Sequence, residues 1–129
     1  MSMFFIKAIL MSILSFYRVD FPVNALPKEF TYIEYKKGRE LGKQTIKENE
    51  AAYIALKKLM SEERQGWRYD SATYVPNHMF NSLKMKINCL DKTLVVNYED
   101  DGDWIQISKK DVKVSCPSAR LMRSDNQQA

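Results

Sequence analysis

Histidine and cysteine are scarce in this chain of 129 residues, which contains one histidine and two cysteines. A structural zinc site needs four such ligands, and a Ser-His-Asp triad needs its histidine beside a nucleophile. The chain also lacks the Gly-x-Gly-x-x-Gly, Walker A, His-Glu-x-x-His and Cys-x-x-Cys patterns. These absences count against nucleotide-cofactor, zinc-hydrolase and thiol-redox chemistry. We therefore expect no cofactor, no metal ion and no enzymatic activity.

Neither sign of charge dominates, since 20 Lys and Arg stand against 16 Asp and Glu for a net charge of +4. Without a basic stripe, this surplus is too small to predict nucleic-acid binding. The hydrophobic share of 45% and charged share of 28% are ordinary for a globular protein. The chain has no internal repeat, low-complexity block or linker rich in Gly, Ser or Pro. This length and composition predict one domain.

The N-terminal apolar run is too short for a membrane-spanning helix and resembles the core of an export signal. Lys7 precedes an uncharged run over residues 8–17, ten residues long, whereas a spanning helix needs about 20. Val23-Asn24-Ala25 then places small residues where a signal peptidase reads them. We expect residues 1–25 to be a signal peptide cleaved after Ala25, and a periplasmic or secreted protein without a stable membrane anchor. The alternative is an amphipathic N-terminal helix retained in a cytosolic protein.

Cys89 and Cys116 are an even pair in a small chain with an export-like start, which predicts a disulfide. Closing the 27-position loop between them would stabilise the fold by about 3–4 kcal/mol in the chain-entropy model. The alternative, two buried free thiols, applies to a cytosolic protein.

Helical spacing extends over residues 44–64, where apolar residues recur every three or four positions and charged residues take the other face. Thr45 followed by Glu48 resembles a capping box, and Gly66 is placed for a left-handed C-terminal cap. An amphipathic helix is the prediction.

After Gly66 the hydrophobic period changes to alternation, which is typical of strands with one buried face. The clearest alternation runs from Leu83 to Cys89. The pattern predicts strands over residues 67–75, 83–89, 94–98, 105–107 and 112–116, and a short strand or extended arm over 30–35.

A plain four-strand meander would place Cys89 and Cys116 at opposite ends of the sheet, whereas bonded cysteines need Cα atoms within about 7 Å. Residues 108–111 are therefore predicted to form a bulge or short crossover instead of a reversing hairpin. The predicted fold is α+β, with one amphipathic helix packed on a curved, mainly antiparallel sheet of four to five strands and one disulfide. This single domain spans residues 26–117, and a polar C-terminal tail spans 118–129.

Two features could carry chemistry, the acidic run 99–103 and His78. The acidic run lacks the spacing with which one loop wraps a calcium ion, while Asp101-Gly102 suits the positive φ angles of a hairpin turn. His78 is the one candidate for proton transfer near neutral pH, but no nucleophile motif surrounds any serine or threonine. A zinc site with His78 and both cysteines would need reduced thiols and would still have only three ligands. We expect a solvated turn and a structural histidine.

A basic group and one tryptophan share the predicted sheet face that points away from the helix. This group consists of Lys84, Lys86, Trp104 and Lys113. Tryptophan within a charged patch often anchors an interface, which suggests contact with an acidic surface of another protein. The alternative is a solvated face with Trp104 covered by the N-terminal arm.

The leading hypothesis is a small exported, non-enzymatic binding protein that caps or inhibits another protein outside the bacterial cytoplasm, as immunity proteins and inhibitors do. One alternative is a ligand-binding domain with an apolar pocket between helix and sheet. The aromatic candidates for that pocket are Trp67, Tyr69, Tyr74 and Phe80. The other alternative is a small enzyme that uses His78, which requires this side chain to face a cleft.

Overall fold

A computed structural model describes residues 18–113 and 116–118 of the chain. Within these residues, eight antiparallel strands form one sheet in the order β1-β4-β8-β7-β6-β5-β2-β3, accompanied by one α-helix and a short 3-10 turn at Val23–Ala25. The strands are β1 (Arg18–Val19), β2 (Glu29–Lys36), β3 (Arg39–Lys47), β4 (Trp67–Tyr69), β5 (His78–Asn81), β6 (Met85–Leu90), β7 (Thr93–Asp100) and β8 (Asp103–Lys110), and the helix α1 is Ala51–Glu62.

The predicted α+β fold with four to five strands is wrong, because the described chain is mostly sheet and has eight strands. Part of the error lies in the helix, which begins at Ala51 and not near residue 44. The preceding residues form β3, where Thr45 pairs with Thr31 and Ile46 pairs with Phe30. Side chains branched at Cβ favour strands over helices. Thr45 therefore forms no capping box, and the helix starts after Glu50 without a side-chain cap.

Several local predictions are confirmed, and others fail. Asp101 and Gly102 have the positive φ angles expected of the hairpin turn. Gly66 also has a positive φ angle, but the C-cap of the helix is Glu63, so Gly66 does not form the predicted cap. Residues 70–77 have no regular structure, so the strand expected to reach residue 75 ends at Tyr69. Leu83 lies before β6 and is 87% exposed, although the alternation placed it in the core.

The core lies between the helix and one face of the sheet. The helix buries one side, and the sheet contributes alternate residues of its strands. The helix residues are Ala52, Tyr53, Leu56, Leu59 and Met60, and the largest sheet residues are Phe30, Tyr32, Trp67, Phe80, Met85 and Ile87. We call this side of the sheet the core face and the opposite side the outer face.

Residues 18–25 are part of the fold. β1 pairs with β4, and the Phe21 side chain is 1% exposed, with its ring centroid 5.7 Å from that of Trp67. The Phe21 amide also donates a hydrogen bond to the Arg64 carbonyl at 2.7 Å. The boundary expected after Ala25 therefore does not coincide with the edge of the folded unit. Lys7 and the apolar run over residues 8–17 lie outside the described residues, as do residues 119–129 of the tail.

The predicted disulfide between Cys89 and Cys116 is confirmed, with Cα atoms 6.1 Å apart. β8 continues to Lys110, and the Val112 amide then donates to the Lys92 carbonyl at the turn between β6 and β7. The chain thus crosses the end of these strands towards Cys89, as the disulfide requires. Residues 112 and 113 form no strand, and residues 114 and 115 lie outside the described chain.

The loop over residues 70–77, which we call the strap, crosses the outer face between β4 and β5. These strands flank β8, β7 and β6 in the sheet, so the connection must pass over all three. The Gln106 side-chain amide on β8 donates to the Asp70 and Ala72 carbonyls at 2.9 and 2.8 Å. Val95, on the outer face of β7, is only 1% exposed. The strap therefore covers part of the face expected from the sequence to contact a partner or, in the alternative, solvent.

Candidate protein-binding face

Three of the four predicted site residues lie together at the end of the outer face nearest the β7–β8 turn. Trp104 on β8 is opposite Glu99 on β7, and Lys86 on β6 is opposite Asn97. The Lys86 ammonium nitrogen lies 5.9 Å from the centroid of the Trp104 ring, within the range of a cation–π contact. Lys84 is exposed and joins this group, since its carbonyl accepts a hydrogen bond from the Glu99 amide. We call Lys84, Lys86 and Trp104 the tryptophan face.

Lys113 does not belong to the tryptophan face. It follows Lys110, which pairs with Thr93 at the opposite end of β8 from Trp104. Six residues of strand separate Trp104 from Lys110, a distance of about 20 Å at the usual rise. Lys113 is exposed there and lies beside the crossover that leads to Cys116. The sequence pattern groups Lys113 with the other three residues because it predicts a further strand over residues 112–116.

Acidic groups lie within and beside the tryptophan face. Glu99 lies directly opposite Trp104 across the β7–β8 pair, and Asp101 occupies the turn that follows β7. The Glu99 amide also donates to the Lys84 carbonyl, so Glu99 lies between Trp104 and Lys84, and the tryptophan face has charges of both signs.

A chain of side-chain amides fixes the strap beside this face. Asn88 donates to Asn97 at 3.4 Å, Asn97 donates to Gln106 at 3.0 Å, and Gln106 donates to strap carbonyls. Lys86 lines the cleft between these amides and the strap residues Thr73 and Tyr74. The strap thus forms a wall of the tryptophan face, which the sequence did not reveal because the amides are far apart in the chain.

Asp70 anchors the start of the strap through hydrogen bonds from neutral donors. Its carboxylate accepts from the Ala72 amide at 2.8 Å, from the Ser108 hydroxyl at 2.7 Å and from the Tyr74 hydroxyl. Burial by itself raises the pKa of Asp70, but these hydrogen bonds and the charge of Lys110 outweigh it, so the pKa lies below its ordinary value. The ionised form of Asp70 therefore holds the strap.

His78 lies at the start of β5 on the core face, away from the tryptophan face. Its Nδ1 atom is 2.6 Å from the Tyr32 hydroxyl and 3.8 Å from Glu34 Oε1. The Ser118 hydroxyl donates to Glu34 at 3.4 Å instead of contacting the histidine. A serine nucleophile needs a hydrogen bond to its base, and Ser118, the serine described near His78, bonds to Glu34. The group instead links the segment after Cys116 to β2 and β5.

The aromatic residues proposed for an apolar pocket do not share one cavity. Trp67 and Phe80 are fully buried in the core, where Trp67 contacts Phe21 and Phe80 contacts Phe30 and Tyr32. Tyr74 belongs to the strap on the other side of the sheet. Among the described residues, no group of three or more His, Cys, Asp or Glu side chains is arranged to hold a metal ion.

Within residues 18–113 and 116–118, no helix has the length and apolar character that crossing a membrane requires. No protein-family model, curated protein or solved structure matches the chain. The comparisons therefore add no functional information to the geometry of the tryptophan face.

Proposed function

We propose that the protein is a small non-enzymatic binding protein of the inhibitor or immunity type, which docks on an acidic surface of another protein through the tryptophan face. The observation that carries this proposal is Trp104, which is 47% exposed. Every other aromatic side chain of the described chain is buried or half-buried. Exposed tryptophan contributes strongly to interfaces because it buries a large apolar area with few rotatable bonds.

The charges around Trp104 support a protein partner with acidic character. Lys84 and Lys86 are exposed and make no ion pair within the described residues. Such rim charges mainly raise the association rate and its dependence on salt, while the buried anchor sets the affinity. Trp104 is therefore the expected anchor, and the two lysines are the expected steering charges.

We further propose that the protein works outside the cytoplasm, in the periplasm or as a secreted protein. The disulfide is typical of an oxidising compartment, and the N-terminal run has the layout of an export signal. Because Phe21 and β1 belong to the fold, the processed chain is expected to begin at or before Arg18 instead of at Leu26.

Photo-crosslinking in a periplasmic extract tests the binding function. A photoreactive residue at position 104 should give a discrete crosslinked protein, whereas the same residue at position 54 should not. Ile54 is a matched control because it is an exposed apolar residue on the helix, at 57% exposure. Trp104→Ala should abolish capture of that protein with an unchanged unfolding midpoint. Equal crosslinking from both positions, or undiminished capture by Trp104→Ala, would show that this face does not bind the partner.

A further inference from the structure

A second group of cations lies at the edge of the outer face, on β1, β4 and β8. Arg18 on β1 pairs directly with Arg68 on β4, and Arg68 pairs with Ser108 on β8. Lys110 lies two residues beyond Ser108, on the same face of β8. Arg18, Arg68 and Lys110 line one surface cleft together with Gln65 and Gly66. We call it the basic cleft.

Within the described chain, these three cations make no short-range ion pair, although the charge of Lys110 acts on the Asp70 carboxylate in the same cleft. None of them forms an ion pair within 4.0 Å in the described residues. Asp70 lies in the wall of the cleft, but its oxygens accept hydrogen bonds from Ala72, Tyr74 and Ser108. Asp111 is exposed at the rim. Like charges directly opposite on neighbouring strands destabilise a sheet, so the Arg18–Arg68 pair is unfavourable unless an anion lies between them.

One arginine is already held in place. The Arg18 guanidinium donates one hydrogen bond to the Gly66 carbonyl at 3.1 Å. A guanidinium has five N–H donors, so most of them stay available. Gly66 has a φ angle of +84°, and the space where a Cβ would project is open. The backbone at this point therefore leaves room for a ligand beside Arg18.

We propose that the basic cleft binds a tetrahedral dianion, that is, a phosphate or sulfate group. Guanidinium groups bind two oxygens of such an anion at once, and an ammonium group adds a further contact. Three cations match a dianion better than a single carboxylate, which has one negative charge and two oxygens. This site is separate from the tryptophan face, because four residues of β8, about 14 Å, separate Trp104 from Ser108.

The test is an NMR titration of the protein with sodium phosphate at pH 7.5, against sodium chloride at the same ionic strength. We expect saturable shifts of backbone amides within residues 65–70 and 107–111 with phosphate and sulfate, and none with chloride. Arg68→Gln and Lys110→Gln should each weaken binding at least tenfold. Lys28→Gln removes one positive charge from an exposed position outside the cleft and is the matched control. It should leave the affinity unchanged within twofold.

The following results would overturn the assignment of a phosphate or sulfate site. Linear, unsaturated shifts, or equal weakening by Lys28→Gln and Arg68→Gln, would show only a general response to charge. Equally tight binding of acetate would show a carboxylate site instead of one for a tetrahedral dianion. Lys110 lies at the exposed end of its strand, so Lys110→Gln should fold normally. Loss of phosphate binding in this variant therefore cannot come from misfolding. Trp104→Ala should leave phosphate binding intact, so failure of the proposed function and failure of this site are distinguishable.

Discussion

The position of Phe21 predicts that a chain starting at Leu26 is unstable. Phe21 is almost fully buried and packs on Trp67, which is itself inaccessible to solvent. Replacing a buried phenylalanine with alanine costs about 3–5 kcal/mol, because burial is lost and a cavity remains. A domain of this size is typically stable by about 5–15 kcal/mol, so Phe21→Ala should remove about a fifth of the total or more.

Removal of residues 18–25 should cost at least as much as Phe21→Ala. It deletes the same ring and also the pairing of β1 with β4, and it uncovers one side of Trp67. Urea unfolding of three proteins measures the effect: a chain from Arg18, the same chain with Phe21→Ala, and a chain from Leu26. Asn24→Ala is the control, since Asn24 is exposed within the same segment and should change stability by less than about 0.5 kcal/mol.

Equal stability of the chains that begin at Arg18 and at Leu26 would refute this reasoning. Intact-mass measurement of protein recovered from a periplasmic extract supplies an independent check. We expect a mature N-terminus at or before Arg18. A mature chain that starts at Leu26 and unfolds at the same urea concentration would mean that the core closes without Phe21.

Three further predictions concern stability and ion binding. Replacing Cys89 and Cys116 together with serine should lower the free energy of unfolding by about 3–4 kcal/mol, measured in urea, and an unchanged midpoint would contradict this. The pKa of Asp70 is lower in the folded protein than its ordinary value of 3.8. Ionised Asp70 therefore stabilises the fold above pH 3.8, and this stabilisation is lost as the pH falls through the lowered pKa of the folded state. Asp70→Asn should therefore flatten the acid side of the stability profile, and a profile parallel to that of the wild type would count against the anchor. Calorimetry should show no calcium binding tighter than about millimolar at the acidic turn, and a micromolar site lost in Asp101→Asn would disprove that expectation.

Features that depend on near neighbours in the chain were predictable from the sequence. Asp101-Gly102 forms the expected turn because only two residues connect β7 and β8. Alternation from residue 85 onward correctly separates the buried Met85 and Ile87 from the exposed Lys86. The disulfide was also predictable from the sequence, since two cysteines permit only one intramolecular pair.

Features that depend on distant partners were not predictable. β1 and β4 have two and three residues, too few for a periodic pattern, and they form because they pair with each other and with β8. Ile46 fits a helical stripe as well as a strand, and only its pairing with Phe30 decides between them. The small residues at 23 and 25 predict cleavage after Ala25, and no local pattern indicates that Phe21 packs on Trp67. The strap was missed because a loop that crosses three strands has no local signature.

The strap covers part of the outer face and leaves the rest exposed, and Trp104 lies in the exposed part. Val95 and Ser108 are buried on this face, whereas Trp104 lies beyond the strap, close to the turn. Eight cross-strand pairs and a two-residue turn hold the β7–β8 hairpin that carries Trp104. A partner that covers the indole therefore gains apolar burial without first ordering a loop, and little backbone entropy opposes binding. Lys86 already stands over the ring, so the side chain is partly oriented as well. Tryptophan is enriched among the residues that dominate interface energies, which is why we propose Trp104 as the anchor of this face.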